Sequence, residues 1–106
     1  MTNARLVAGN HIELHELTKA FSSDLMSDVL TLDEDHILLI TGLANVQLIR
    51  TAEMADIEVV LLSRNKRATP EMIDLANETG LVLLETPYSI FRAGGILFEA
   101  GLLPVY

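Results

Sequence analysis

Hydrophobic residues near the centre of the chain change from a continuous run to helical spacing and back again. The run at residues 36–40 is too short for a helix and too continuous for a strand with one exposed face. A turn follows, Asn45 can cap a helix, and apolar residues from Val46 onward recur every three or four positions. A second continuous run occupies residues 59–62. This order predicts a βαβ unit in a parallel sheet that helices cover.

The same alternation continues toward the carboxyl terminus. Thr69 and Pro70 predict the start of a second helix, and Gly80 can end it in the left-handed conformation. A third apolar run at residues 81–84 leads to a last helix over residues 89–100. We expect the sheet-facing stripe of that helix to be Ile90, Phe91, Gly94, Leu97 and Phe98. The predicted fold class is α/β, a three-layer domain with a mostly parallel central sheet flanked by helices.

The first 30 residues carry a weaker pattern. Residues 5–8 can form a short strand, and the first 20 residues as a whole predict only a strand region without clear boundaries. Residues 24–30 have the spacing of an amphipathic helix, for which Ser22 or Ser23 is a suitable N-cap.

The alternation of His11, Glu13 and His15 with apolar residues is the pattern that comes nearest to a metal site. On a strand these three side chains share one face, and imidazole with carboxylate is divalent-metal chemistry. No obvious further ligand accompanies them, so we interpret the pattern as a solvated strand face and predict no metal site.

Composition narrows the range of functions. At 106 residues the chain is long enough for one domain, residues 1–106, and half of its residues are hydrophobic. The net charge of −8 argues against nucleic acid and anionic membranes as partners. No apolar run reaches the ~20 residues of a membrane span, and a chain without cysteine forms no disulfide or thiolate metal site. We therefore expect a cytoplasmic protein that carries no cofactor.

Four stretches between residues 22 and 102 resemble the DRTGG domain family: SSDLMSDVL, ILLITG, VVLLSRNKRATPEMIDLANETG and LLETPYSIFRAGGILFEAG. Such domains occur in larger enzymes and regulators, including phosphotransacetylases and pyrophosphatases with CBS domains. They also occur as small free-standing proteins, some encoded beside iron-only hydrogenase components, and they are related to the non-catalytic N-terminal domain of HPr kinase. The resemblance implies a regulatory or accessory role in a hydrogenase or central-metabolism context.

The sequence departs from the family pattern at the residues that name it. Leu43-Ala44 follows the first Thr-Gly pair where the family has Asp-Arg. Residues 63–65, Ser-Arg-Asn, stand where Thr-Gly-Gly would end the next strand. The resemblance therefore implies no ligand role for these positions.

Recognisable catalytic motifs are absent from the sequence. None of the six glycines is followed by lysine, which excludes a P-loop, and the GxSxG nucleophile elbow is missing as well. The three histidines have no serine or cysteine at a recognisable motif spacing. We therefore predict that the chain is not an enzyme.

A binding site is easier to place than a reaction. Ligands of parallel sheets lie beyond the carboxyl ends of the strands, where three loops leave the predicted sheet. The middle loop brings Arg64, Lys66 and Arg67 to the N-terminus of a helix, which also attracts anions. The candidate site for phosphate or a nucleotide comprises Thr41, Gly42, Asn45, Ser63, Arg64, Lys66, Arg67, Thr69 and Thr86. The alternative is a solvent-facing loop whose cations offset the acidic surface.

The end of the chain is unusually apolar. Gly94 and Gly95 each cost about 1 kcal/mol in a helix interior, which indicates close approach to the sheet or to another helix. The candidate interface comprises Gly94, Gly95, Phe98, Leu102, Leu103, Val105 and Tyr106. We predict a homodimer that buries this surface, and the alternative is a monomer whose tail forms an edge strand.

Two functions follow from these patterns. The first is a non-enzymatic regulatory or accessory domain that acts by self-association and by binding an unidentified protein client. The alternative is a small-anion or nucleotide sensor that binds its ligand at the carboxyl edge of the parallel strands.

Overall fold

The computed structural model describes residues 4–8, 19–23 and 37–104. Within these ranges the chain forms six strands and three helices. The strands are β1 (Arg5–Ala8), β2 (Lys19–Ser22), β3 (Ile37–Thr41), β4 (Val59–Leu62), β5 (Val82–Glu85) and β6 (Leu103–Pro104). The helices are α1 (Val46–Met54), α2 (Pro70–Thr79) and α3 (Ile90–Glu99).

The six strands belong to one sheet in the order β1-β5-β4-β3-β2-β6. β1 runs antiparallel to β5, and the other neighbouring pairs are parallel. Helices pack on both faces of this sheet, which makes three layers. The predicted α/β fold class with a mostly parallel central sheet is confirmed.

Alternate residues of the central strands supply two separate cores. On one face Leu39, Val60 and Leu83 pack against α1 and α2. The other face packs against α3 through the residues Leu38, Ile40, Val59, Leu61 and Val82, which meet Ala93 and Leu97 of that helix. β3 and β4 are buried at every position, which agrees with their continuously apolar sequences. The one polar residue is Thr41, which ends β3.

Each helix begins just beyond the carboxyl end of a parallel strand, and a side-chain oxygen caps it. Asn45 Oδ1 accepts from the Leu48 N–H at 3.0 Å, and Thr69 Oγ1 accepts from the Met72 N–H at 3.2 Å. Ser89 Oγ accepts from the Arg92 N–H at 3.1 Å. The three helix N-termini therefore gather at the same edge of the sheet as the carboxyl ends of β3, β4 and β5.

The predicted inner stripe of α3 is wrong at both phenylalanines. Phe91 is 91% exposed and Phe98 is 62% exposed, while Ala93 and Leu97 face the sheet. Gly94 also faces the sheet, since a Cβ on this residue would stand 4.0 Å from Ser22 Oγ of β2, an ordinary van der Waals distance. Ala93 and Leu97 fill the second core with the sheet residues, and both phenylalanines lie on the opposite side of the helix.

The amino-terminal predictions are only partly tested by the described residues. The short strand at residues 5–8 is confirmed as β1. Ser22 ends strand β2, which the sequence pattern did not predict. The strand with His11, Glu13 and His15 and the helix at residues 24–30 lie outside the described residues. No helix that the structure describes is long and apolar enough to cross a membrane.

Candidate functional site

The carboxyl ends of β3, β4 and β5 bring three buried hydroxyl residues side by side. The parallel ladder continues one residue past β4 and β5, because the Ser63 N–H donates to the Thr41 carbonyl and the Thr86 N–H donates to the Leu62 carbonyl, both at 2.8 Å. Thr41, Ser63 and Thr86 are all buried. These three members of the candidate site are therefore neighbours at one edge of the sheet.

The three hydroxyls differ in how they are satisfied. Thr41 Oγ1 accepts from the Leu43 N–H at 3.2 Å, and Thr86 Oγ1 accepts from the Tyr88 N–H at 3.3 Å. Each of these bonds fixes the first turn of the loop that leaves the strand. Ser63 Oγ is buried and has no hydrogen-bond partner among the described residues. Burying a hydroxyl without a hydrogen bond costs about 1–3 kcal/mol.

The loop after β4 opens with a tight turn in an unusual conformation. Arg64 and Asn65 both have φ of 58°, and the Lys66 N–H donates to the Ser63 carbonyl at 3.2 Å. Two successive positive φ angles define a type I′ turn, for which Asn-Gly is the preferred sequence. Arg64 has a Cβ and therefore occupies the left-handed region at a cost of about 1–2 kcal/mol.

Backbone hydrogen bonds from the neighbouring loop hold this turn in place. The Arg64 N–H donates to the Tyr88 carbonyl at 2.7 Å, and the Asn65 N–H donates to the Thr86 carbonyl at 3.0 Å. The turn is thus pinned to the residues that follow β5. Strain that the surrounding structure imposes in this way is typical of functional sites.

The turn directs the guanidinium of Arg64 onto the backbone of Gly42. A Cβ placed on residue 42 would overlap the Arg64 guanidinium, so the contact depends on glycine at this position. Gly42 follows β3, and Arg64 follows β4. A cation is consequently anchored across the carboxyl ends of two adjacent central strands.

Glu85 holds the far end of the same loop. Its Oε2 accepts from the Ala68 N–H at 2.7 Å, and its Oε1 accepts from Arg5 Nη2 at 2.7 Å and from Arg67 Nη1 at 3.3 Å. Burial raises the pKa of the Glu85 carboxyl, but the Ala68 N–H and the two arginines outweigh it and hold the pKa below its ordinary value of 4.5. Glu85 is therefore a buried carboxylate that ties β1, β5 and the loop together.

The predicted basic cluster is divided in the structure. Arg64 lies against Gly42, whereas the Arg67 guanidinium forms an ion pair with Glu85. Lys66 is exposed in the loop between them. The arrangement leaves Arg64, beside the buried Ser63, as the centre of the candidate site.

Asn45 and Thr69, the remaining members of the candidate site, stand at helix starts. Their side-chain oxygens cap α1 and α2, so each of these oxygens accepts a backbone N–H of its own helix. Both residues therefore shape the edge of the sheet by fixing where the two helices begin.

Sequence reasoning missed two contributors to this region. The sequence pattern assigned Glu85 only to the end of a strand, although a lone carboxylate directly after an apolar run is a usable signal of a buried ion pair. Tyr88 contributes its carbonyl to the Arg64 turn, and the Arg92 guanidinium lies 3.9 Å from the centroid of its ring. That contact joins the site to the first turn of α3.

The candidate interface occupies a different part of the molecule. Gly94 faces β2, Gly95 and Phe98 lie on the outer side of α3, and Leu102 packs into the second core. Leu103 belongs to β6, the edge strand that pairs with β2. An edge strand at the tail was the alternative to the dimer, but it leaves Leu103 58% exposed. Val105 and Tyr106 lie outside the described residues.

Metal chemistry finds no support in the described part of the chain. Within residues 4–8, 19–23 and 37–104, no three histidine, aspartate or glutamate side chains form a group that could hold a metal ion.

The sequence matches no protein-family model and no curated protein. Solved structures do match the fold. One is the crystal structure of the CBS and DRTGG domains of the regulatory region of Clostridium perfringens pyrophosphatase, complexed with activator, diadenosine tetraphosphate. The two share 12% sequence identity at a TM-score of 0.72, and the match covers 94% of this chain but 44% of that chain. The fold of this chain is therefore similar to the fold of that pyrophosphatase region, which agrees with the fold that the DRTGG resemblance implied.

Proposed function

We propose that this protein is a non-catalytic regulatory domain that senses a phosphate-bearing ligand at the carboxyl edge of β3, β4 and β5. The observation that carries the proposal is the placement of Arg64. A strained, pinned turn holds its guanidinium over Gly42, and the hydroxyl of the preceding residue, Ser63, is buried without a hydrogen-bond partner among the described residues. A fixed cation with a hydroxyl donor and helix N-termini at the same edge suits an anionic group.

The structural neighbour supports a sensing role. Its regulatory region shares this fold and is complexed with a nucleotide activator, diadenosine tetraphosphate. The sequence of the present chain also lacks the P-loop and nucleophile-elbow motifs that phosphoryl or acyl transfer would lead us to expect. Both facts favour binding without catalysis.

Thermal unfolding with inorganic phosphate, tripolyphosphate and ATP tests the proposal. A ligand that binds only the folded state stabilises it by about 2.7 kcal/mol at 100 times its dissociation constant. We expect at least one of the three to raise the melting temperature of the wild-type protein. Arg64→Gln should abolish that rise, because it removes the anchored cation.

Arg50→Gln is the matched control for this experiment. Arg50 is exposed in the middle of α1, so the variant removes the same charge away from the Arg64 turn. It should keep the ligand-induced rise in melting temperature. If the wild-type protein shows no rise with any of the three ligands at millimolar concentration, the sensing proposal is wrong for phosphate ligands. If both arginine variants lose the ligand-induced rise in melting temperature equally, the rise depends on net charge and not on Arg64 itself.

The accessory role rests on a separate observation. The outer face of α3 exposes two phenylalanines, Phe91 and Phe98, which the sheet does not cover. Exposed apolar surface of this kind marks an interaction site. An accessory domain would use such a face for self-association or for binding a protein client. A pull-down with the Phe91→Ser variant as the control tests for a protein client.

A further inference from the structure

The outer face of α3 carries two of the five large hydrophobic side chains that are exposed in the described residues. Phe91 is 91% exposed and Phe98 is 62% exposed, and Leu103 in the following strand is 58% exposed. Phe91, Gly95 and Phe98 recur at helical spacing and so form one stripe on the side that points away from the sheet. Fully exposed phenylalanine adds nothing to the stability of an isolated chain.

Gly95 lies at the centre of this stripe and faces open space among the described residues. A Cβ on Gly95 would meet no atom within 4 Å, whereas a Cβ on Gly94 would contact β2. Glycine in a helix interior costs about 1 kcal/mol relative to alanine. A bare backbone in the middle of an apolar stripe permits a second helix to approach closely.

Charges beside the stripe select the arrangement of that second helix. Arg92 and Glu99 are both exposed, and they lie two helical turns apart on either side of Gly95. If two α3 helices pair antiparallel about a twofold axis between residues 95 and 96, Arg92 of each copy faces Glu99 of the other. A symmetric parallel pair would exchange the two flanks, so Arg92 would lie beside Phe91 of the other copy and neither charge would face an opposite one.

The twofold axis also sorts the apolar residues correctly. In this antiparallel pair, a given flank of α3 lies on the same side of the contact in both copies. Phe91 and Phe98 of one copy therefore meet Phe91 and Phe98 of the other. The two Arg92–Glu99 pairs lie on the opposite flank. The Arg92 guanidinium already lies over the Tyr88 ring, and that contact leaves its N–H groups able to donate to a carboxylate.

We propose that two copies of this chain associate through an antiparallel, twofold contact of their α3 helices centred on Gly95. The contact is self-complementary in charge and in shape, which is what a symmetric pair requires. It does not depend on ligand binding at the carboxyl edge of the sheet.

Sedimentation equilibrium between about 1 and 200 µM, a range that spans typical weak dimers, tests the proposal. We expect a mass of twice the 11.6 kDa of one chain at the upper end. Phe91→Ser should raise the dissociation constant at least about tenfold without unfolding the chain, because this side chain makes little contact with its own fold. Met54→Ser is the matched control, since Met54 is 64% exposed on α1 and its loss should leave the dimer intact.

Charge exchange tests the antiparallel geometry. Arg92→Glu and Glu99→Arg should each weaken the dimer by about tenfold, since each replaces attraction by repulsion at two places. The double variant Arg92→Glu/Glu99→Arg should restore the wild-type dissociation constant. A parallel or unrelated contact would show no such rescue.

Disulfide cross-linking provides a second measurement on a chain without native cysteine. Gly95→Cys should form a disulfide-linked dimer on mild oxidation, because the two Cα atoms approach at the axis. Glu53→Cys, exposed on α1, should not. A wild-type chain that stays monomeric at about 200 µM assigns the face to another partner and overturns the proposal. A dimer that survives Phe91→Ser, or one that Met54→Ser abolishes, overturns it as well.

Discussion

At the scale of single residues, the carboxyl edge contains features that do not serve the stability of the fold. Arg64 occupies a left-handed conformation that favours glycine, and Ser63 buries a hydroxyl that has no hydrogen-bond partner in the described part of the chain. Positions where local rules fail in this way tend to be functional. Thr51 in α1 also buries an unpartnered Oγ1, but no strained turn or anchored cation accompanies it among the described residues. Thr51 is therefore the internal control for the proposed role of Ser63 in ligand binding.

Ser63→Ala and Thr51→Val make that comparison measurable. Each variant removes a buried hydroxyl that has no partner, so each should raise the free energy of unfolding by up to about 1 kcal/mol in the absence of ligand. Only Ser63→Ala should reduce the rise in melting temperature caused by the effective phosphate ligand. A full ligand effect in Ser63→Ala would remove Ser63 from the binding site, whereas an effect of Thr51→Val on binding would show that the assay reports stability.

At the scale of the elements, the three described helices end in the same way. A left-handed residue follows the helix, and the next residue is apolar and donates its N–H back into the last turn. Ile57 donates to Ala52 at 2.9 Å, Leu81 donates to Ala76 at 2.9 Å, and Leu102 donates to Leu97 at 3.1 Å. The left-handed residue is Gly80 after α2 and Gly101 after α3, but it is Asp56 after α1. This end of α1 therefore lacks the glycine that the motif prefers.

Asp56→Gly should stabilise the protein by about 1 kcal/mol, because glycine adopts a φ of 58° without steric cost. The variant also removes a negative charge from a helix C-terminus, where the dipole disfavours it. Asp56→Asn isolates the charge effect, so it should recover only part of the gain. Urea unfolding with an unchanged slope measures both variants. A destabilised Asp56→Gly would mean that the aspartate makes a contact more valuable than the relief of strain.

The elements that the sequence predicts well are those whose burial is complete. β3 and β4 are buried at every position, and the caps Asn45 and Thr69 mark helix starts through a local hydrogen bond. β2 was missed, because a half-buried strand that mixes lysine, alanine, phenylalanine and serine has no clear period. The face of α3 was assigned wrongly for the opposite reason. That helix is apolar on most of its circumference, so spacing alone cannot say which side meets the sheet.

The candidate site was predictable in location but not in detail. Parallel strands and their order place Thr41, Ser63 and Thr86 at one edge, and the loop cations follow from the sequence. The left-handed turn at Arg64 carries no Asn-Gly signature, and hydrogen bonds from a distant loop impose it. The pairing of Arg67 with Glu85 likewise depends on tertiary structure, which local spacing does not encode.

At the scale of the whole molecule, the carboxyl edge and the outer face of α3 are joined by a short path of contacts. The Arg64 N–H donates to the Tyr88 carbonyl at 2.7 Å, and the Tyr88 ring lies 3.9 Å from the Arg92 guanidinium. Arg92 is the residue that the proposed antiparallel pair uses. This path of contacts runs between the two surfaces proposed here.

Glu85 has a comparable place in the architecture, because it joins elements that are far apart in sequence. Its carboxylate binds Arg5 of the edge strand β1, the Ala68 N–H before α2 and Arg67 of the loop. Removal of this carboxylate should therefore loosen β1 and the loop together. With a lowered pKa in the folded state, Glu85 also makes the stability of the whole fold depend on pH.

Glu85→Gln should lower the free energy of unfolding by about 2 kcal/mol at pH 7, since it removes charged hydrogen bonds from a buried site. The pKa of Glu85 is lower in the folded chain than in the unfolded chain, so the unfolded chain binds the proton first as the pH falls. The stabilisation is thus complete above the ordinary value of 4.5 and is lost as the pH falls through the folded pKa. The difference between wild type and Glu85→Gln should accordingly shrink below that value.

Urea unfolding of wild type, Glu85→Gln and Glu53→Gln at several pH values from neutral to about pH 3 measures this difference, because carboxylates common to all three proteins cancel in the comparison. Glu53 is exposed on α1, away from the loop that Glu85 holds, so Glu53→Gln should change stability little at any pH. If the difference in the free energy of unfolding between wild type and Glu85→Gln is as large in acid as at neutral pH, the amide destabilises the fold for steric reasons. The ion pairs with Arg5 and Arg67 would then contribute nothing to the stability of the fold.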